Sequence, residues 1–245
     1  MFDLDGRIAV VTGAGQGMGA GAASALAEQG AHVFVNDLEE ERAAATVAAI
    51  TAAGGSAEPL LFDVTDLAAV QESLGGRVVD ILVNNAGNFG GQQMSVQQFV
   101  DTEPKDWAAP LAVNLGGVMN CTHTVLGGMI ERGWGRVIGV ISVAGTRGVH
   151  IGVATYSAGK GGAAGLLRSV ALEVARTGVT VNSIALGLMS NTEGGEVTSG
   201  LAKTIPAGRL GTPADLGSLC AYLASNEASW MTGQTIHLAG GSATS

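Results

Sequence analysis

Basic residues are scarce in this chain. Twelve lysines and arginines stand against 21 aspartates and glutamates in 245 residues, for a formal net charge of −9. Nucleic acids and anionic membranes are held by clustered Lys and Arg, so this balance argues against both as partners. Cysteine is scarcer still: Cys121 and Cys220 stand far apart with no CxxC spacing. Two such thiols are expected to pack inside helices of a protein from a reducing compartment, which makes the cytoplasm the expected location. Four scattered histidines offer no metal-ligand spacing, so no metal is expected. The opening Met1-Phe2-Asp3-Leu4-Asp5-Gly6 is acidic and has neither a basic n-region nor a signal-type apolar stretch. No apolar run approaches the ~18 residues of a membrane span. Yet 47% of residues are hydrophobic and only 13% charged, which excludes a disordered chain and predicts apolar surface buried between subunits.

Glycine is abundant, with 39 residues and no Gly-X-Y period. Short β-branched runs read as strands at Ile8–Val11, Val33–Val35, Leu60–Phe62, Ile81–Val83, Val137–Ile141, Val179–Ile184 and Thr235–Leu238. They are nearly continuous rather than alternating, as parallel strands covered on both faces should be. Helical stretches fall between them at Met18–Gln29, Glu39–Ala53, Leu67–Leu74, Pro104–Arg132, Thr155–Arg176 and Pro213–Ala224. Strand-helix alternation predicts a Rossmann-type, doubly wound parallel sheet of about seven strands with helices on both faces. No linker or repeat divides the chain, so residues 1–245 are read as one domain.

Ligands of such sheets bind at the carboxyl ends of the strands. The chemically suggestive residues gather there: Gly13 after the first strand, Asp37 after the second, Asp63 after the third, Asn85 after the fourth and Ser142 after the fifth. Thr12-Gly13-Ala14-Gly15-Gln16-Gly17-Met18-Gly19 joins the first strand to the first helix. Its glycines permit a tight turn and close approach of the backbone to a pyrophosphate at the helix N-terminus. Asp37 follows at the distance expected of the carboxylate that accepts the ribose hydroxyls of NAD and repels a 2′-phosphate. Asn36 and Gln16 are uncharged, so no basic group for that phosphate is evident. Asp37 also suits a helix N-cap, as do Asp63 and Asp66. Asp63 and Val64 are candidates for the adenine edge. Asn85, Ala86 and Gly87 are candidates for the nicotinamide ribose, or else form an ordinary Asn/Gly turn.

Tyr156 and Lys160 are four residues apart, so on a helix they share one face. An ammonium beside a phenol favours the phenolate and would bring the Tyr156 pKa from ~10 toward neutrality, where a general base for an alcohol is useful. When the spacing stands alone, a half-exposed helix carrying both residues by chance is the better explanation; the nucleotide-binding signals reverse that order.

Taken together, Thr-Gly-x-x-x-Gly-x-Gly at 12–19, Asn-Asn-Ala-Gly at 84–87, Asn114, Ser142 and Tyr-x-x-x-Lys at 156–160 resemble the short-chain dehydrogenase/reductase family. Ile205–Pro213 and Thr232-Gly233-Gln234 are similar to further family segments. The resemblance implies an NAD-dependent oxidoreductase interconverting a secondary alcohol and a ketone. It assigns Tyr156 as acid/base, Lys160 as depressor of the Tyr156 pKa and ribose ligand, Ser142 as partner of the substrate oxygen, and Asn114 as holder of a relay water. It extends the cofactor set to Gly13, Gln16, Gly17, Met18, Gly19, Asp37, Leu38, Asp63, Val64, Asn85, Ala86, Gly87, Tyr156, Lys160, Gly187 and Met189.

Departures from the family pattern are Leu186-Gly187 where Pro-Gly is common, Thr192 one place late, and Ala239 in place of an acidic residue. Residues 188–210 read as a substrate lid or, equally, as a flexible surface loop. Phe89, Met94, Thr146, Val149, His150, Leu188 and Met189 are pocket candidates, and Glu193 and Glu196 disfavour anionic substrates, pointing to a small neutral alcohol or ketone. A 3-oxoacyl-thioester (acyl-carrier-protein) reductase is an alternative, weakened by Gly133 and Thr177 at the places expected for carrier-docking basic residues, although Arg132 and Arg176 adjoin them. A non-catalytic nucleotide-binding regulator is another. The apolar helices 104–132 and 155–176 are expected to pair across two-fold axes in a homotetramer.

Overall fold

A computed structural model describes residues 1–87, 96–190 and 200–244. Seven parallel strands form one sheet in the order β3-β2-β1-β4-β5-β6-β7. They are β1 (Ile8–Val11), β2 (His32–Asp37), β3 (Ser56–Leu61), β4 (Ile81–Asn84), β5 (Gly135–Ser142), β6 (Val179–Leu186) and β7 (Thr235–Leu238). Helices α1 (Gly17–Glu28), α2 (Glu40–Ala52) and α3 (Leu67–Leu74) connect the first four. Then come α4 (Lys105–Leu111), α5 (Gly117–Glu131), α6 (Ala154–Val174) and α7 (Pro213–Ala224). This is the single-domain α/β fold expected from the alternation.

The sheet separates two apolar cores. On one face Leu26, Val33, Ile138, Ile184 and Leu223 pack with α1, α2 and α7. On the other Leu82, Met129, Val137, Leu167 and Val181 pack with α3, α5 and α6. The central strands are buried throughout, which explains their continuous apolar runs. β3 is different. Its polar start, Ser56 to Pro59, hid four residues of strand from a hydrophobic reading. As an edge strand it leaves several side chains in solvent, and Pro59 is tolerated because an edge position need not donate to a further neighbour.

The long helix expected over Pro104–Arg132 is not one helix. A π-turn at Ala112–Gly116 separates α4 from α5. Pro110 lies one turn earlier, and the Asn114 side chain donates its amide to the Pro110 carbonyl at 2.9 Å. A side chain that takes up the i−4 carbonyl displaces the regular ladder and leaves a bulge. On the helix expected at a subunit interface, Leu167 faces the sheet: only 1% of it is exposed, and it touches the space beside Gly139. The exposed apolar side chains on these helices are Leu111, Met119, Ile130 and Leu172. Cys121 and Cys220 are buried free thiols, and burial pushes both up to about 12. Among the described residues no helix is long and apolar enough to cross a membrane.

Candidate active site

The turn after β1 is shaped by contacts that only glycine allows. Gly13 has φ +60° and a Cβ there would lie 2.9 Å from the Ala86 Cα. A Cβ on Gly19 would strike the Gly13 carbonyl oxygen and, at 2.5 Å, the Asn85 amide. Gly17, at φ +57°, opens α1. Gln16 is its N-cap position without a side-chain cap, and Met18 follows in the first turn. Thr12 ties this turn to the end of β4: its hydroxyl accepts the Asn85 and Ala86 N–H groups, both at 3.0 Å, and donates to the Val83 carbonyl. Asn85 returns its side-chain amide to the Thr12 and Gly13 carbonyls at 2.9 and 3.0 Å. The motif shows Thr12 and Asn85; this mutual bracing is legible only in three dimensions.

Asp37 lies at the end of β2, 9% exposed. One carboxylate oxygen accepts the Gly15 N–H at 3.0 Å and the other the Glu39 N–H at 3.1 Å. It is therefore fixed in orientation beside the glycine turn while each oxygen retains a further lone pair. It is not the N-cap of α2, a place taken by Glu39 without a side-chain cap. Asn36, beside it, is turned the other way. Its amide group is turned into the sheet, accepting from Gly13 and donating to the Leu60 and Phe62 carbonyls, so it is no neighbour of a ribose. The nearby basic residue is Arg42, whose Cβ would be 2.7 Å from a Cβ on Gly15. The sequence offered one sign of it: Arg42 is the sole Lys or Arg between Gly13 and Asp63.

Asp63 closes an Asx turn onto the Thr65 N–H and hydroxyl, both at 2.8 Å, while Asp66 caps α3. Val64 is buried against Gly117, and Leu38 is 69% exposed at the mouth beyond Asp37.

Ser142 ends β5, and Tyr156 and Lys160 lie on α6. They are buried, 6% and 4% exposed, so the half-exposed helix is excluded. The Ser142 hydroxyl hydrogen-bonds the Tyr156 phenol. Burial raises the Tyr156 pKa above its ordinary value, and the Ser142 bond opposes that rise only in part. This corrects the expected Lys160-driven depression. Lys160 donates to the Val140 carbonyl at 2.8 Å and is itself lowered to about 8 by desolvation.

Gly87 lets these groups converge, since a Cβ there would lie 2.8 Å from Asn114 Oδ1 and 3.0 Å from Lys160 Nζ. Asn114 is completely buried, and its Oδ1 has no hydrogen-bond partner among the described residues. An orphaned acceptor of this kind calls for a water or a ligand donor.

On the far side, Gly187 follows β6 and donates to the Leu238 carbonyl at 3.0 Å. A Cβ on it would be 2.8 Å from the Ala239 Cα, so Ala239 and Gly187 form one close contact where the family pattern differs. Met189 pairs with Gly211 in an isolated bridge, fixing the start of the 188–210 segment. Thr146 donates to Val143 and contacts His237 at 3.0 Å, while Val149 and His150 continue the loop toward α6. Phe89, Met94, Thr192, Glu193 and Glu196 lie outside the described residues.

Residues 7–199 match the model of the short chain dehydrogenase family. The chain belongs to that family. It is 37% identical to a 3-oxoacyl-acyl-carrier-protein reductase of Vibrio cholerae, over 98% of each chain. Among solved structures it resembles a gluconate 5-dehydrogenase from Burkholderia cenocepacia in complex with NADP and tartrate, with TM-score 0.88, 34% identity, and 98% and 96% of the two chains covered. It also resembles a 3-oxoacyl-acyl-carrier-protein reductase from Brucella melitensis with bound NAD, with TM-score 0.89, 31% identity, and 99% and 94% covered. As a short-chain dehydrogenase the chain is an oxidoreductase.

Proposed function

We propose that this short-chain dehydrogenase interconverts a secondary alcohol and a ketone with NAD as cofactor. The observation that carries the reading is the buried Ser142–Tyr156 hydrogen bond with Lys160 one helical turn away. The residues present fit a dinucleotide: the glycine turn accommodates close approach, and Asp37 is held with free lone pairs beside it. Gly13, Gln16, Gly17, Met18, Gly19, Asp37, Leu38, Asp63, Val64, Asn85, Ala86, Gly87, Gly187 and Met189 would hold the cofactor, with Tyr156 and Lys160 at the nicotinamide ribose. Bound there, the nicotinamide would supply hydride acceptance and donation.

The protein's own part is the proton. Ser142 and the Tyr156 hydroxyl hydrogen-bond the substrate oxygen. In reduction Tyr156 gives its proton to that oxygen, and its raised pKa suits a group that must stay protonated until then. After reduction Lys160 and Asn114 return a proton to the Tyr156 phenolate through a water on the Asn114 acceptor. In oxidation the same path first carries the Tyr156 proton away, and the phenolate then takes the alcohol proton. The set is complete, which speaks against a non-catalytic regulator.

Tyr156→Phe should lower turnover by about 10³-fold or more while NADH binding, followed by fluorescence, stays within a few-fold. Unchanged turnover would reject Tyr156 as acid/base.

A carrier-linked 3-oxoacyl substrate is the second reading, favoured by similarity to reductases of that name. Of the two adjoining arginines, Arg132 is engaged, donating to the Val79 carbonyl at 2.6 Å and lying 3.7 Å from Asp80, which weakens this reading, whereas Arg176 is exposed. A small neutral alcohol or ketone is the preferred substrate, with the 188–210 segment as lid. The exposed apolar positions of α4, α5 and α6 support a homotetramer, and the cytoplasm is the location proposed for it.

A further inference from the structure

Cofactor choice at the end of β2 involves more than Asp37. Gly15 sits between the Asp37 carboxylate and the stem of Arg42: a Cβ on it would lie 2.5 Å from Asp37 Oδ2 and 2.7 Å from the Arg42 Cβ. Arg42 thus starts beside the carboxylate that would receive the ribose hydroxyls. Its guanidinium pairs with Glu39, at 3.1 Å in an i,i+3 pair. The side chains of Arg42 and Glu39 are 39% and 58% exposed, so the pair is held weakly and can be exchanged for another anion. Glu40 and Glu41 continue the acidic turn. No other Lys or Arg lies between Gly13 and Asp63, whereas four carboxylates crowd positions 37–41.

We propose that Arg42 is a latent ligand for a ribose 2′-phosphate, held off by Glu39, so that Asp37 and Glu39 together set the preference for the unphosphorylated cofactor. A guanidinium binds phosphate through two parallel N–H donors, a geometry that Glu39 alone does not saturate. Asp37 repels the phosphate directly; Glu39 acts by occupying the Arg42 guanidinium that would welcome it. Adding a basic residue at position 36 would not substitute for Arg42, since Asn36 is buried in hydrogen bonds to Gly13, Leu60 and Phe62.

The proposal rests on the NAD reading of Asp37, and the test separates the two. The full-length protein is titrated with NADH and with NADPH, and the ratio of the two dissociation constants is compared between variants by calorimetry or nicotinamide fluorescence. Glu39→Gln should shift the ratio about 5-fold toward NADPH, and Arg42→Gln about 5-fold away from it. In an Asp37→Ser background NADPH binding should strengthen. Adding Arg42→Gln should remove most of that gain, and Arg42→Lys should retain part of it. The gain should also fade at 1 M salt, where screening is strong.

If Arg42→Gln leaves the ratio unchanged in the Asp37→Ser background, while thermal unfolding shows the variant folded, the role of Arg42 is refuted. If the unsubstituted protein binds NADPH more tightly than NADH, the NAD reading fails. Loss of that tighter binding in Arg42→Gln would then establish Arg42 as an active phosphate ligand rather than a latent one.

Discussion

The two ends of this sheet treat their buried functional groups differently. At the amino ends of the strands the buried charged groups are satisfied within the protein, although the Thr180 hydroxyl near the start of β6 lacks a partner among the described residues. Arg136, 2% exposed, donates to the Ser225, Gly135 and Gly178 carbonyls, and its guanidinium stacks on Trp134, which carries Arg7 on the same ring system. Asp80 accepts the Ile8 N–H and adjoins Arg132. At the carboxyl ends the groups are held in place but not used up. Asn114 Oδ1 lacks a partner among the described residues, Asp37 keeps spare lone pairs, and Lys160 is buried with a hydrogen bond to the Val140 carbonyl. Saturated polar groups stabilise, whereas oriented and unsaturated ones await a ligand.

The comparison predicts opposite signs for two substitutions of buried cations. Arg136→Met should leave three carbonyls without donors, each costing about 1–3 kcal/mol, for a net loss of about 4 kcal/mol in urea unfolding. Turnover per folded molecule should be nearly unchanged, because the site lies at the other end of the sheet. A large loss of turnover without loss of stability would break the division between the two ends.

Lys160→Met should abolish most turnover yet stabilise the fold near neutrality. Desolvation lowers Lys160 from 10.5 to about 8. Between those values the unfolded chain binds a proton that the native state lacks, so native stability rises with pH through that window and is lowest below it. At about 1.4 kcal/mol per pH unit the full swing is about 3 kcal/mol. Relative to Lys160→Met, the unsubstituted protein should therefore be less stable at pH 7 and catch up as pH approaches 10.5. A variant destabilised at pH 7 would mean that Lys160 is as well satisfied as Arg136.

Much of the carboxyl end could be read in the sequence, and the reasons are local. Tyr156 and Lys160 are one helical turn apart, and Gly13, Gly17 and Gly19 sit where a strand must turn into a helix, so spacing carried the information. The direction of the Tyr156 pKa could not be read that way. It depends on how deeply α6 buries the phenol, a property of packing against the whole sheet. The π-turn at Asn114 escaped because periodicity of apolar residues runs straight across it, and only the Asn114–Pro110 bond marks the break. β3 was shortened because an edge strand tolerates Ser, Glu and Pro where a central strand would not. At the other end of the sheet, nothing in the sequence distinguished buried Arg136 from a surface arginine: its partners are backbone carbonyls 42 and 89 residues away.

The finest test concerns Thr12, which belongs to both kinds of polar group. Its hydroxyl is saturated, like the charged groups at the amino ends, yet the N–H groups it accepts belong to Asn85 and Ala86, in the turn proposed to face the nicotinamide ribose. Thr12→Val keeps the side-chain shape and leaves both N–H groups without that acceptor, at a cost of about 2 kcal/mol. If the hydroxyl serves mainly to set the turn, NADH affinity should fall about 3- to 10-fold beyond what the loss of stability explains, since at saturating protein the unfolded fraction remains small. Thr12→Ser, which retains the hydroxyl, should restore affinity while recovering only part of the stability, because the methyl packing is still missing. Equal losses of affinity in the Val and Ser variants would show that packing of the methyl group, and not the hydroxyl bridge from β1 to the end of β4, holds the cofactor turn in place.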